Sequence, residues 1–140
     1  MKVLVSSCLL GDNCKYNGGN NYCKAIVEYL KGKEYVKACP ECLGGLNTPR
    51  SPSEIVGEKV INKAGIDVTK EFNEGALKTL DIALAENVDF AILKSNSPSC
   101  GCGMIYDGTF SNKLTNGDGI TTRLLKENGI EVIPSNEFEE

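Results

Sequence analysis

The sequence predicts a single-domain, three-layer α/β/α sandwich with a mostly parallel, Rossmann-like sheet. Short apolar runs alternate with stretches of helical periodicity along the whole chain. The apolar runs are separated by helices of ten or more residues, which is the separation that parallel pairing requires. With 140 residues, of which 41% are hydrophobic, the chain is long and apolar enough for one core. We therefore expect residues 1–140 to form one domain.

Four apolar runs are typical of buried strands. They are residues 3–6, 35–38, 90–93 and 130–133. The first run is too short for the apolar segment of a signal peptide, so we interpret it as the first strand. Residues 105–110 are expected to be extended, and residues 58–61 with 66–68 are predicted to form a small hairpin.

Three helices are predicted where apolar residues recur every three or four positions. The longest is expected to begin at a Thr69 cap and to bury Phe72, Ala76, Leu80, Ala83 and Leu84. The other two carry the apolar stripes Tyr22, Ile26, Leu30 and Ile120, Leu124, Leu125. Gly32 and Asn128-Gly129 are the predicted stops of these two helices, and Asp118 is the predicted cap of the second.

Composition excludes several functional classes. Fifteen basic and 19 acidic residues give a net charge of −4, so we expect no direct nucleic-acid binding. No apolar run approaches the length of a membrane span. The seven cysteines are an odd number, so they cannot all form disulfides within one chain. Free thiols indicate a reducing, cytoplasmic location. Without histidine, a metal would need thiolate or carboxylate ligands.

Three cysteines are expected to meet at one edge of the sheet. Cys8 follows the first strand, Cys39 follows the second, and Cys100 lies in the loop after the third. Ligands of open α/β sheets bind beyond the carboxyl ends of the strands, where these thiols would converge. The loops at residues 39–53 and 95–103 are rich in proline and glycine, and long constrained loops are usually functional.

The residues alone leave several uses of these thiols open. Cys39 and Cys42 form a Cys-x-x-Cys motif, which is found in thioredoxin-like redox pairs. Together with Cys100 and Cys102 they could also bind zinc. A zinc- or cluster-binding sulfur carrier without turnover is the corresponding non-enzymatic alternative. Soft thiolates equally suit an iron–sulfur cluster.

Three ordered motifs resemble those of the TudS-like thiouracil desulfurase family, formerly a domain of unknown function. They are Ser7-Cys8-Leu9 with Gly11 and Cys14-Lys15-Tyr16, then Cys39-Pro40-Glu41 through Gly44-Gly45-Leu46 and Pro49-Arg50, and then Ser97-Pro98-Ser99-Cys100-Gly101 with Tyr106-Asp107-Gly108-Thr109-Phe110. Shorter matches lie between them, at residues 65–69, 75–76 and 117–119, so the resemblance covers nearly the whole chain.

The resemblance implies a TudS-like iron–sulfur domain over residues 1–140. Its 4Fe–4S cluster would be held by Cys8, Cys39 and Cys100 only, which leaves one iron open, and Glu41 and Ser97 would be catalytic. The implied reaction removes sulfur from a small thiopyrimidine such as 2-thiouracil by non-redox hydrolysis, giving the oxo base and sulfide.

Five residues in or near these motifs need a separate interpretation. Cys42 and Cys102 depart from the family's usual pattern, and Cys42 could close the open iron as a fourth ligand. Ser99 is placed as well as Ser97 to be the catalytic serine. Arg50 and Lys94 could offer positive charge to a substrate, but a solvated surface role is expected for both.

Overall fold

The computed structural model describes residues 1–138 and confirms the predicted fold class. The strands are β1 (Lys2–Ser6), β2 (Glu34–Ala38), β3 (Ser53–Val56), β4 (Lys59–Asn62), β5 (Phe90–Leu93), β6 (Met104–Tyr106), β7 (Leu114–Asn116) and β8 (Glu131–Pro134). The helices are α1 (Lys24–Leu30), α2 (Pro40–Leu43), α3 (Thr69–Ala85) and α4 (Ile120–Glu127), with 3-10 turns at Ser7–Leu10 and Ser135–Glu137. The central sheet has the order β2-β1-β5-β8, and every neighbouring pair is parallel.

Side chains of β1 alternate between two cores, one on each face of the sheet. Val3 and Val5 pack with Ile26 and Leu30 of α1. On the opposite face, Leu4 belongs to a core that also contains Leu80, Ala83, Leu93 and Leu125, from α3, β5 and α4. Full burial of a leucine of this kind contributes roughly 1.5–3 kcal/mol. Helices therefore cover both faces, as the strand and helix alternation predicts.

The hairpin differs from its prediction. It pairs β3 with β4, from Ser53 opposite Asn62 to Val56 opposite Lys59. Gly57, at φ 64°, begins a two-residue turn, and such a turn pairs the segments directly beside it. Residues 66–68 contribute only an isolated bridge to this hairpin, between Ile61 and Asp67.

The predicted extended segment at residues 105–110 is shorter than expected. Its strand, β6, pairs with β7, which was not predicted because all three β7 side chains are exposed and give no burial pattern. Residues 39–53, predicted as a loop throughout, also contain α2 and the start of β3.

Both predicted helix caps are wrong. Thr69 is the first residue of α3, and its hydroxyl accepts the Val60 N–H at 2.8 Å, which ties the helix to β4. Gly119 precedes α4, while the Asp118 carboxylate accepts the Gly103 N–H at 2.7 Å. These oxygens join separate segments instead of satisfying their own helix ends.

Two predicted core residues lie at the surface. Tyr22 is 57% exposed because α1 begins only at Lys24, which leaves the tyrosine outside the helical stripe. Leu84 is 52% exposed near the end of α3. No helix within residues 1–138 is long and apolar enough to cross a membrane.

Helices α2 and α3 cross at two glycines. A Cβ atom on Gly44 would lie 1.9 Å from the Glu71 carbonyl oxygen, and one on Gly75 would lie 1.9 Å from that of Pro40. The backbones can approach this closely only without side chains at both positions. The crossing therefore fixes α2, and with it the segment that carries Cys39 and Glu41.

Candidate active site

The carboxyl ends of β1, β2 and β5 surround a cavity of about 400 Å³. Because β1 lies between β2 and β5 in a parallel sheet, all three strands end at the same edge. Cys8 lies in the 3-10 turn after β1, Cys39 follows β2 directly, and Cys100 lies in the loop beyond β5. The structure brings these three cysteines to the cavity wall, together with Glu41 and Ser97.

Polar side chains contact two of the three sulfurs. The Asn21 amide donates to Cys8 Sγ at 3.3 Å. Cys100 Sγ accepts from the Ser6 hydroxyl at 3.7 Å and lies 3.5 Å from the Ser99 hydroxyl oxygen. Such donors orient a thiolate ligand and tune the group that it binds.

The protonation of these thiols is set by Cys14 and by burial. The neighbouring Cys14 thiol, whose one hydrogen can be donated to either sulfur, lowers the pKa of Cys8 to about 7 and that of Cys39 to about 6, although burial opposes both shifts. The same contacts raise the pKa of Cys14, which stays protonated. Complete burial raises the pKa of Cys100 to about 12. Two thiols of the cavity are thus readily ionised, and Cys100 must release its proton on binding a metal.

The carboxylate of Glu41 is held from two sides. Arg50 Nε donates to Oε1 at 3.1 Å, and the Ser99 hydroxyl donates to Oε2 at 3.0 Å. The Arg50 side chain is only 10% exposed, so its predicted surface role is wrong. Lys94, for which a surface role was also predicted, is half-buried at the cavity wall, and its Nζ donates to the Ser95 carbonyl at 3.4 Å.

Ser97 and Ser99 have different environments. Ser97 Oγ accepts the Cys100 N–H at 2.8 Å, which leaves the hydroxyl hydrogen of Ser97 available to another group. Ser99 is 2% exposed and donates its hydrogen to Glu41. The two hydroxyl oxygens lie 3.4 Å apart. The Ser97 hydroxyl can therefore donate either to Ser99, which in turn donates to Glu41, or to another group in the cavity.

Aromatic and charged side chains complete the cavity wall. The aromatic residues Tyr106 and Phe110 line it, as do the basic residues Lys15 and Lys63. Glu54 is buried at the wall, and its Oε1 accepts the backbone N–H groups of Gly108 and Phe110 at 3.0 and 3.2 Å. This carboxylate thereby fixes the loop that carries Phe110.

Sequence reasoning missed three of these polar residues: Ser6, Asn21 and Glu54. The position of Ser6 at the end of the first predicted strand could have indicated it, since that strand points into the cavity. Asn21 and Glu54 belong to segments without periodicity and gave no comparable signal.

Cys42 and Cys102, which the zinc alternative requires, lie outside the cavity lining. Cys42 Sγ lies 3.6 Å from Thr48 Oγ1, and Cys102 Sγ donates to the Val132 carbonyl at 3.6 Å beside the core under α3 and α4. A zinc site of Cys39, Cys42, Cys100 and Cys102 is therefore not assembled. Within residues 1–138, no three cysteine or carboxylate side chains are placed to bind one metal ion together.

A cubane cluster makes a different demand on its ligands. Its cysteines bind separate iron atoms, so they need to surround a volume and do not have to converge on a point. Three thiols from distant segments around one cavity meet that demand. The residues present therefore fit a 4Fe–4S cluster better than a mononuclear zinc ion.

Comparisons with known proteins agree with this geometry. The 2-thiouracil desulfurase family matches residues 3–137. The chain is 47% identical to "Uncharacterized protein YbbK" of Bacillus subtilis (strain 168) in an alignment of 146 positions that covers 97% of each protein. A solved structure described as 4Fe-4S-dependent thiouracil desulfidase TudS is 42% identical, with a TM-score of 0.90, and the match covers 97% of this chain and 91% of that one. This chain is therefore an enzyme of the 2-thiouracil desulfurase family.

Proposed function

We propose that this enzyme hydrolyses a small thiopyrimidine such as 2-thiouracil to its oxo base and hydrogen sulfide. The observation that carries the proposal is the ring of Cys8, Cys39 and Cys100 around a cavity that also contains Glu41. The family match and the 4Fe-4S-dependent relative support it. Water supplies the oxygen, sulfur leaves as hydrogen sulfide, and the balance needs neither an oxidant nor a reductant.

In this proposal Cys8, Cys39 and Cys100 hold a 4Fe–4S cluster and leave one iron without a cysteine ligand. When bound, such a cluster supplies a soft Lewis acid for a thiocarbonyl sulfur. The donors Asn21 and Ser6 would orient the Cys8 and Cys100 sulfurs around it. The proposed iron–sulfur domain spans residues 1–140, and its free thiols suit the reducing cytoplasm.

Glu41 and Ser97 are the proposed catalytic residues. The Glu41 carboxylate accepts the protons of the attacking water one after the other and passes them to the departing sulfur, which leaves as hydrogen sulfide, while the water oxygen becomes the carbonyl oxygen of the product. The Ser97 hydroxyl, whose oxygen already accepts the Cys100 N–H, can donate its hydrogen to the pyrimidine ring. Arg50 Nε donates to Glu41 Oε1 at 3.1 Å and so orients the carboxylate that this role requires.

The shape of the cavity suits a free base. A volume of about 400 Å³, shared with a cluster, leaves room for a planar ring against Tyr106 or Phe110. A net charge of −4 does not favour binding to a nucleic-acid backbone, so the proposed partner is a small thiolated molecule.

Anaerobic reconstitution tests the proposal directly. We expect a brown protein with about four iron atoms per chain, as one cubane requires. Added 2-thiouracil should yield uracil and sulfide in equal amounts. The matched control is Cys39→Ala, taken through the same procedure. Bound iron without sulfide release would contradict the proposed reaction and support a carrier, and stoichiometric zinc without iron would contradict the cofactor.

A further inference from the structure

The contacts of Arg50 connect two of the segments that carry the proposed cluster ligands. Its Nε donates to Glu41, and Nη2 donates to the Cys14 carbonyl at 3.0 Å. Nη1 donates to the Asn47 carbonyl and to the Thr48 hydroxyl, at 3.2 and 2.9 Å. Every nitrogen of the guanidinium thus has a partner. Arg50 fixes the loop after β1 against the segment that carries Cys39.

Ser99 makes the corresponding connection to the third segment. It precedes Cys100, and its hydroxyl donates to Glu41 Oε2 at 3.0 Å from a position that is 2% exposed. The Ser97 hydroxyl lies 3.4 Å from that of Ser99 and can donate to it. Glu41 is thus the shared partner of Arg50 and Ser99, with one oxygen held by each.

We infer that Arg50 and Ser99 are positioning residues that together hold the Glu41 carboxylate toward the cavity. This inference rests on the proposed function and goes beyond it, because neither residue needs to touch the substrate. A carboxylate held at one oxygen can rotate about its bonds, whereas one held at both oxygens keeps a fixed plane. Each oxygen retains a lone pair that can accept a proton from water.

The chemistry of arginine explains why lysine cannot replace it here. The planar fork of Arg50 serves Glu41 and three other acceptors at once, while a lysine ammonium is a compact charge on a flexible chain. Arg50→Lys keeps the positive charge but cannot keep this set of contacts. Ser99→Ala removes the donor to Oε2 and adds no bulk. Both substitutions leave Glu41 present but less well oriented.

The kinetic test places each substitution in two backgrounds. In the otherwise native enzyme, Arg50→Lys and Ser99→Ala should lower kcat for sulfide release about 10- to 100-fold, the effect of misplacing a catalytic group, while KM changes about twofold at most. In a Glu41→Ala background the same substitutions should change the residual rate about twofold at most, since they act through Glu41. Equal losses in both backgrounds, or no loss in either, would overturn the inference.

Matched controls separate this effect from a general loss of structure. Arg123→Lys makes the same chemical change on α4, where the guanidinium bonds to the Asp118 carbonyl. Ser135→Ala removes another buried hydroxyl, one that does not line the cavity. Neither control should alter kcat by more than about twofold. Rates are expressed per bound iron, so that cofactor loss is not counted as a catalytic defect.

Thermal unfolding of the cofactor-free chain distinguishes failure of this inference from failure of the proposed function. Arg50→Lys and Ser99→Ala should each lower Tm more in the native background than in the Glu41→Ala background. Equal decreases would show that neither residue holds Glu41 and would overturn the inference. If the native enzyme binds iron but releases no sulfide, the proposed function fails, and the unfolding result still decides whether Glu41 is held.

Discussion

Three of the seven thiols differ from the others in what surrounds them. Cys8, Cys39 and Cys100 face the cavity, whereas Cys23 is buried with Ile26 in the core under α1. Replacing any of the three by alanine should abolish stoichiometric iron binding, because two cysteines cannot retain a cubane firmly. Iron analysis after anaerobic reconstitution measures this, with Cys23→Ala as the control that keeps its iron. A variant at residue 8, 39 or 100 with full iron content would remove that residue from the ligand set.

Glu41 should affect turnover far more than cofactor binding. Glu41→Gln keeps the size of the side chain and one oxygen that can accept from Arg50 or Ser99, but it cannot accept a proton from water. We expect unchanged iron content and a kcat for sulfide release about 10²- to 10⁴-fold lower, which is the usual contribution of a general base. Steady-state assays with 2-thiouracil check this. Full turnover by Glu41→Gln would show that another group accepts the proton.

The sequence could place the thiols of the site but not the residues that organise them. Cys8, Cys39 and Cys100 follow apolar strands, so topology alone predicts their convergence. Arg50 lies in a loop without periodicity, and its burial depends on acceptors from other loops, including the Cys14 carbonyl. Ser99 is distinguished from Ser97 by its burial and by its contact with Glu41 from a distant segment. Such pairings arise from tertiary packing, on which local patterns carry no information.

At the scale of elements, the α2–α3 crossing should be highly sensitive to side-chain size. Gly75→Ala would improve helix propensity by about 1 kcal/mol at most. The added Cβ would lie 1.9 Å from the Pro40 carbonyl oxygen, a contact that forces the backbones apart. Overpacking of this kind costs typically 1–3 kcal/mol, so the free energy of unfolding should fall. Urea unfolding measures whether the free energy of unfolding falls or rises. Asn73→Ala, at an exposed position of α3, is the control. A Gly75→Ala chain that is more stable than the native chain would contradict this packing.

Asp118 ties the Cys100 loop to α4 and should make stability depend on pH. Burial opposes its ionisation, but the Gly103 N–H and the Lys126 ammonium outweigh burial and hold the pKa of Asp118 below its ordinary value of 3.8. Its contribution to stability is therefore fully present at neutral pH and is lost as the pH falls through the pKa of the folded state. Asp118→Asn should lower the free energy of unfolding by about 1 kcal/mol at neutral pH.

The difference in the free energy of unfolding between Asp118→Asn and the native chain should become smaller as the pH falls. Urea unfolding at neutral pH and at the lowest pH where both chains stay folded measures it. A constant difference across that range would show that the carboxylate charge contributes nothing.

The elements that the sequence predicted poorly are those whose partners are set by turns or by distant segments. The hairpin register follows from the turn at Gly57, and the apolar residues on both sides of it fit either pairing. Thr69 and Asp118 have the residue types of helix caps, yet their oxygens bind Val60 and Gly103. The strongly periodic helix α3 was predicted almost to its ends, because its buried stripe determines the structure.

At the scale of the whole molecule, the parallel sheet explains why the proposed cofactor should stabilise the fold. The ligands follow β1, β2 and β5, three adjacent strands whose connections span most of the chain. A group bound to all three cysteines would join segments that otherwise meet only through the sheet and through polar contacts such as those of Glu41. It would bind the folded state and not the unfolded chain, so its binding free energy would add to stability.

We therefore expect the reconstituted chain to melt about 10 °C above the cofactor-free chain, since each kcal/mol shifts Tm by several degrees in a domain of this size. Anaerobic calorimetry of both forms measures the difference. Cys39→Ala carried through reconstitution should show no increase, because its ligand set is incomplete. Cys23→Ala should show the full increase from a lower starting Tm, since its loss affects the core but not the cavity. An unchanged Tm despite full iron content would mean that the iron does not join the three strand ends, and the arrangement of ligands proposed here would be wrong.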